Sequence, residues 1–330
     1  MLTAISFIFV FGMIVFAHEL GHFTTAKLSG VKVLEFALGM GPSILKKQGK
    51  ETLYSLRLFP IGGYVKMEGE DEASEDPRSF SSKKRLPRLI ILAAGAIMNF
   101  ILAYVLLVII MFGMGAPSNS IGAIIEGYPA EMSGLQADDK FVSINNVEIK
   151  NWDQVIESIN GSEGQTLTIV VLRDGQEMTF DIVPQAREGG GYQVGIQTKF
   201  VKQIDLAFIN AGKQFGTFFT DIFRFFSQIG SGKVEGEVVG PVGLVSIIGE
   251  ASKTGIMNLL FLAAYISINL GIVNLLPFPA LDGGRIIFVL IEMIKGKPIN
   301  REKEGYVHLV GFAILMALMV FLVFKDIQRL

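Results

Sequence analysis

The sequence predicts a polytopic α-helical membrane protein carrying a separate α/β module outside the bilayer. Half of the 330 residues are hydrophobic, only 18% are charged, and mean hydropathy is +0.48. Four apolar runs each reach the ~20 residues that cross a hydrocarbon core as helix. Between the second and third runs lies a long stretch with the strand, helix and turn pattern of a folded domain. The net charge of -2 supplies no basic field, which excludes nucleic acid as a partner. The chain has no cysteine, so disulfides and thiolate ligands are excluded and any metal site must use His, Asp or Glu.

The first run, Leu2 to Lys27, is uncharged until His18 and Glu19. It lacks a basic n-region and a small-x-small cleavage pattern, so it reads as a retained span and not as a removable signal peptide. Basic residues from Lys27 to Arg88 crowd the loop that follows. That loop includes Thr52–Met67, whose β-formers are split by Pro60-Ile61-Gly62-Gly63 and read as a hairpin. Glu68–Pro77 reads as a mobile acidic surface loop. The second run, Leu89 to Pro117, holds no charge. Strands are expected at Ile121–Ile125, Phe141–Ile144, Thr166–Leu172 and Met178–Ile182, a helix at Trp152–Ile159 and a tight turn at Asp174-Gly175. Gly189-Gly190-Gly191 marks a flexible exit.

Ile204, Phe208, Ala211, Phe215, Phe218, Ile222, Phe226 and Ile229 recur at helical spacing. That amphipathic helix either lies on the membrane interface or packs on the spans. The third run, Thr254 to Leu281, is interrupted by Pro277 and Pro279. The fourth, Gly305 to Phe324, has His308 near its start, read as an interfacial histidine and not as a metal ligand. Arg285, Lys295, Lys297, Arg301 and Lys303 lie between the last two runs. By the positive-inside rule both basic loops are cytoplasmic, and residues 118–253 lie outside. The expected divisions are 1–117 and 254–330 in the membrane, 118–187 for the module, and 188–253 for a linker with the Phe-rich helix.

Two of the three histidines stand in His18-Glu19-Leu20-Gly21-His22, an H-E-x-x-H pentad on the first apolar helix. Residues four apart project from nearly one face, so both imidazoles can reach one ion. Zinc takes such N/O ligands and keeps a position for water in catalytic sites, and the offset Glu19 can serve as general base. An ionisable group inside a span is costly and is by default functional. The structural alternative is a satisfied polar cluster that holds helices together. A third ligand is needed, and the best candidate is Asp282, in Asn274-Leu275-Leu276-Pro277-Phe278-Pro279-Ala280-Leu281-Asp282-Gly283-Gly284. It closes the third run on the same side of the membrane as the pentad. Alternatively, Asp282 caps a helix. Gly283 and Gly284 permit close approach of the backbone.

The pentad, the distal NLLPFPALDGG segment and the module between them resemble the site-2 protease family of intramembrane zinc metalloproteases, in its bacterial RseP/RasP form with a single PDZ domain. Phe36–Pro42, Pro60–Met67 and Gly240-Pro241-Val242-Gly243 extend the resemblance over nearly the whole chain. The resemblance implies that His18, His22 and Asp282 hold Zn2+, with Glu19 as base and Asn274 on the substrate backbone or developing oxyanion. It implies that Gly62, Gly63 and Tyr64 lie in a re-entrant β-hairpin that pairs with unwound substrate. The module resembles a PDZ domain through Tyr128–Leu135, Asp139, Ile144-Asn145-Asn146 and Arg173-Asp174-Gly175, which implies binding of peptide ends. Asp138-Asp139 stands where the family usually has Gly-Asp. The implied substrates are transmembrane proteins of the bacterial plasma membrane, such as an anti-sigma factor or remnant signal peptides. A non-catalytic PDZ scaffold and a metal transporter are the rival readings, and neither accounts for a Glu between two ligands spaced for one ion.

Overall fold

The computed structural model describes residues 1–70, 72, 74–231 and 239–329, so residues 71 and 73 of the acidic loop and 232–238 of the linker lie outside it. The side chains of Ile61, Phe226, Ile229, Gly230, Ser231 and Arg301 also lie outside the described residues. The chain forms two compact units, Met1–Leu107 with Gln214–Leu330, and Val108–Lys213. Among the described residues, Leu2–Leu28, Arg85–Met114, Ile256–Leu275 and Glu302–Ile327 are helices long and apolar enough to cross a membrane. The protein is a multi-pass membrane protein.

In the first unit, α1 (Leu2–Leu28) buries Val10, Ile14, Ala17, Gly21, His22 and Ala26. Two long strands follow, β1 (Val33–Gln48) and β2 (Leu53–Met67), paired antiparallel with several register shifts. The expected hairpin about residues 60–63 is corrected here. Its two arms do not pair with each other, because β1 runs between them: Phe36 stands opposite both Val65 and Tyr54, and Leu38 opposite both Gly63 and Leu56. The turn proper closes at Gly49, whose N–H donates to the Thr52 carbonyl at 2.9 Å. The far half of β1 then doubles back, Ser43 opposite Arg57 and Gln48 opposite Leu53. Gly39 and Gly41, both at φ +83°, let the chain turn at that point. From margin to margin the rungs are 63–67, 33–38, 53–57 and 43–48. Helix α2 (Arg85–Met114) is the second span.

The second unit is an α/β module. Its elements are β3 (Ala116–Ile124), α3 (Pro129–Ser133), β4 (Lys140–Ile144), β5 (Val147–Glu148), α4 (Trp152–Asn160), β6 (Leu167–Arg173), β7 (Gln176–Ile182), β8 (Gln185–Ala186), β9 (Tyr192–Gln193) and β10 (Ile196–Val201). The main sheet runs β10-β3-β4-β6-β7, with β5 on β4. Its alternating inward residues, among them Ile121, Phe141, Ile144, Leu167, Ile169 and Val171, pack with Val155 and Ile159 of α4. The module does not end at residue 187. The chain returns past the three glycines and β10 pairs antiparallel with β3, covering an edge that would otherwise expose unpaired backbone. Asp174 and Gly175 both have positive φ, as the tight turn between β6 and β7 requires.

Asp138 also has a left-handed backbone, φ +72°, a conformation that glycine adopts without strain. Asp139 beside it is a structural group: its buried carboxylate accepts from Arg173 Nε at 2.7 Å and Nη2 at 2.6 Å, and from the Gln136 N–H at 2.8 Å. Removing one member of a buried ion pair typically costs ~3 kcal/mol or more, because the other is left uncompensated. Asp139→Ala is therefore expected to destabilise the module by about 3 kcal/mol. Trp152, the one tryptophan in the chain, packs on Phe141 at 6.0 Å between ring centroids, so its fluorescence reports this melting alone.

The C-terminal elements return to the first unit. In helix α5 (Ile204–Ser231) the middle of the Phe-rich stripe packs on the spans, while Ile204 and Phe208 are exposed. Phe215 and Phe219 meet Phe100 of α2 at 6.2 and 6.0 Å between centroids. Phe218 meets two aromatic rings, Phe261 at 5.0 Å and Tyr265 at 5.1 Å. Helices α6 (Pro241–Thr254) and α7 (Ile256–Leu275) follow, the latter carrying both of those rings. The third apolar run is shorter as a helix than its hydropathy suggested. Leu276, preceding Pro277, is forced into an extended conformation, and a loop leads to α8 (Asp282–Lys295). Last is α9 (Arg301–Ile327), whose Asp326 accepts from the N–H groups of Gly240 and Gly243 at 3.1 and 2.8 Å and so caps α6. That capping gives the Gly240–Gly243 segment a structural purpose.

Candidate active site

Three side chains, separated by 260 residues of sequence, converge in the first unit. One carboxylate oxygen of Asp282, Oδ2, lies 3.2 Å from His18 Nε2 and 3.3 Å from His22 Nε2, and the two nitrogens are 3.2 Å apart. His18 and His22 reach this point because they are one helical turn apart on α1. Asp282 reaches it as the first residue of α8, with no capping hydrogen bond from the residue before. Gly283 and Gly284 make the approach possible: a Cβ at Gly283 would fall 2.1 Å from the Leu276 carbonyl oxygen, and one at Gly284 2.5 Å from that of Phe278.

The inner faces of the imidazoles are set from α2. His22 Nδ1–H donates to the Ile91 carbonyl at 2.8 Å, which leaves Nε2 with a lone pair aimed at the cluster. His18 Nδ1 lies 3.3 Å from the Asn99 side-chain amide, which is fully buried. As oriented, the Asn99 oxygen has no partner, and turning the amide over lets His18 Nδ1–H donate to it. Gly95 lies between these two supports at one-turn spacing. A Cβ there would stand 2.3 Å from His22 Nε2 and 2.6 Å from His18 Cε1. Ile91, Gly95 and Asn99 thus form a face of α2 shaped to the two rings. Sequence reasoning missed it, although an Asn and a Gly four apart in an otherwise apolar span were visible signals.

Glu19, on the next position of α1, is buried and stands outside the three-ligand group. It faces β2: a Cβ at Gly63 would come 2.9 Å from Glu19 Cγ and 3.1 Å from Val15. Gly63 is therefore the residue that lets the strand backbone pass against this carboxylate. Gly62 sits at the bend, φ +75°. The Tyr64 ring turns away into a polar network, where its hydroxyl accepts from Arg57, which also donates to Glu35 at 2.8 Å. Asn274 lies half-buried on the last turn of α7 and makes no hydrogen bond to the His–Asp cluster among the described residues.

The chain matches Peptidase family M50 over residues 6–318. It is 35% identical over 415 aligned positions to the zinc metalloprotease RasP of Bacillus licheniformis, covering 99% of each chain. It is 32% identical to the regulator of sigma-W protease RasP of Bacillus subtilis, again covering 99% of each. A Clostridium acetobutylicum relative is 40% identical over 97% of this chain and 96% of its own. Over 26% of its length the chain resembles a PDZ domain from Listeria monocytogenes, at 23% identity and a TM-score of 0.22, a likeness too slight to carry any argument. The alignments with the two Bacillus relatives are longer than this chain, so those proteins hold internal residues that it lacks. The match to the family profile spans nearly all the residues that build the His–Asp cluster and its supports, and on it the chain belongs to peptidase family M50, the site-2 proteases.

Proposed function

We propose that this zinc metalloprotease hydrolyses peptide bonds within transmembrane segments, with His18, His22 and Asp282 holding the zinc ion and Glu19 acting as general base. One observation carries the reading: two imidazole Nε2 atoms and a carboxylate oxygen converge at 3.2–3.3 Å. With the ring protons on Nδ1, as the Ile91 carbonyl sets for His22, the three atoms repel one another unless a cation sits among them. Asp282 Oδ2 is buried without a hydrogen-bond partner, as a ligand atom would be. Two nitrogens and one oxygen suit zinc and leave a fourth tetrahedral position open.

When bound, zinc supplies a Lewis acid that polarises the scissile carbonyl and lowers the pKa of water. The protein's own groups do the rest. Glu19 takes the proton of the attacking water and returns it to the leaving amine nitrogen. Asn274, through its amide N–H, would donate to the oxygen on which negative charge develops. A helical peptide bond is shielded by its own turns, so the substrate must first unwind. The backbone of Gly62, Gly63 and Tyr64 offers a strand edge beside Glu19, where an extended chain regains hydrogen bonds by strand addition.

The doubled sheet of β1 and β2 would re-enter the membrane. Met40, Ile44, Leu45, Leu58 and Phe59 at its far end are all more than half exposed, which suits lipid and not water. By the positive-inside rule the basic loops would lie in the cytoplasm, with the module outside and the His–Asp cluster toward the cytoplasm. The module would act as a PDZ domain that receives peptide ends. Asp138 does not argue against this, since the departure from glycine concerns a left-handed backbone position. Substrates would be membrane proteins already shortened outside, among them anti-sigma factors or remnant signal peptides.

Asp282→Ala tests the ligand set. Purified protein is expected to lose most of its zinc by elemental analysis, together with cleavage of a synthetic transmembrane segment. Wild-type zinc content in that variant would exclude Asp282 as a ligand.

A further inference from the structure

We infer that His308 and Gly311 of α9 are positioning residues, which seat the Pro279–Asp282 loop so that the Asp282 carboxylate meets the two imidazoles. The inference rests on Asp282 being a ligand, as proposed above. By itself the loop is held by two backbone hydrogen bonds, Phe278 N–H to the Leu276 carbonyl at 2.7 Å and Leu281 N–H to the Phe278 carbonyl at 3.2 Å. Pro277 and Pro279 have no N–H to donate, and Ala280 adopts a left-handed backbone, φ +75°, which is unfavourable for a residue with a Cβ. A conformation of that kind persists only where its surroundings enforce it.

Helix α9 provides the enforcement twice. His308 Nδ1 accepts the Ala280 backbone N–H at 2.9 Å, across 28 residues of sequence. Gly311, three positions on and thus on the same face of the helix, receives Pro279. A Cβ at Gly311 would fall 2.4 Å from Pro279 Cβ and 2.5 Å from the Pro279 carbonyl oxygen. Neither neighbour is the end of a flexible side chain, so the glycine sets the depth of the loop while the histidine sets its rotation. The His308 ring also meets Phe288 of α8 at 5.5 Å between centroids, which ties it to the helix that Asp282 begins. His308 is therefore neither a fourth ligand nor a passive interfacial residue, and only Leu281 stands between the residue it holds and the one whose carboxylate it aims.

The test uses the full-length protein in detergent. Zinc affinity is read by competition with a chromogenic chelator, ligand geometry by the visible bands of the Co2+-substituted protein, and turnover with a synthetic transmembrane segment. His308→Phe keeps the volume without the acceptor. It is expected to weaken zinc binding about tenfold or more, as loss of an orienting partner does, and to shift the cobalt bands. Its kcat should fall while KM stays within about twofold. His308→Asn, whose amide oxygen can accept from Ala280, should recover most of the affinity and turnover. Gly311→Ala should reproduce the His308→Phe result, and Val310→Ala, on the exposed face, should match wild type. If His308→Phe and Gly311→Ala bind zinc as wild type does while Asp282→Ala does not, the positioning role is wrong and the ligand assignment stands. Equal impairment of the Phe and Asn variants would also overturn it, since the acceptor would then not matter. Retention of zinc by Asp282→Ala would remove the ligand assignment and this inference together.

Discussion

Replacing Glu19 by Gln is expected to leave zinc bound and to lower kcat by about 10²–10⁴-fold, the usual contribution of a general acid–base group. The amide has nearly the same shape as the carboxylate, so the packing of α1 against Gly63 is preserved. It cannot accept a proton from water or hand one to the departing nitrogen. Glu19 is buried, which limits the number of waters that could substitute for the missing base. The measurement pairs zinc content with single-turnover cleavage of a synthetic transmembrane peptide. Zinc at the wild-type level with turnover lost identifies the base, whereas turnover within a few-fold of wild type would remove Glu19 from that role. The scaffold reading expects Glu19→Gln to leave function unchanged, and the transporter reading expects zinc flux in liposomes.

Gly95→Ala should weaken both metal binding and the packing of α1 on α2. Alanine in place of glycine favours a helix interior by ~1 kcal/mol, so α2 itself should become no less stable. The added methyl carbon would stand 2.3 Å from His22 Nε2 and 2.8 Å from His18 Nε2. Neither ring can retreat without breaking its bond to Ile91 or its contact with Asn99. Zinc affinity is expected to fall about 100-fold, the upper range for damage to the surroundings of a metal ligand. Thermal unfolding of the zinc-free protein should shift downward, because overpacking of this kind costs about 1–3 kcal/mol and outweighs the gain in helix propensity. A variant that keeps its zinc affinity would show that the rings are not confined by α2.

Much of the membrane architecture was legible because hydropathy and the pentad are local signals. The four spans lie within a few residues of the expected runs, and the strands and helix of the module match closely. What escaped detection was non-local. Nothing in Pro60-Ile61-Gly62-Gly63 reveals that another strand runs between its two arms. That depends on Gly39 and Gly41 turning β1 back on itself. β10 lies beyond three consecutive glycines, where composition suggests an exit, and only its pairing with β3 returns it to the sheet. Asn99 was masked by the absence of charge around it in its span. His308 looked interfacial because its partner is a backbone N–H, a group present at nearly every position and so invisible in sequence. Asp282 was identified from its motif, but the left-handed Ala280 two residues before it could be seen only in the fold.

The order of rungs in the doubled sheet leaves it with two unlike margins. Segment 43–48 carries Lys46 and Lys47, with Lys50 just beyond, and charges of this kind discourage a neighbouring molecule from zipping onto the edge. The opposite margin, 63–67, holds a single lysine, Lys66, and starts at the glycine that faces Glu19. A guest chain docking there would be read through its amides and carbonyls, which all residues but proline share. Preference among guests would then follow how readily a stretch of helix uncoils, favouring segments weakened by glycine, serine or asparagine over any fixed consensus of side chains.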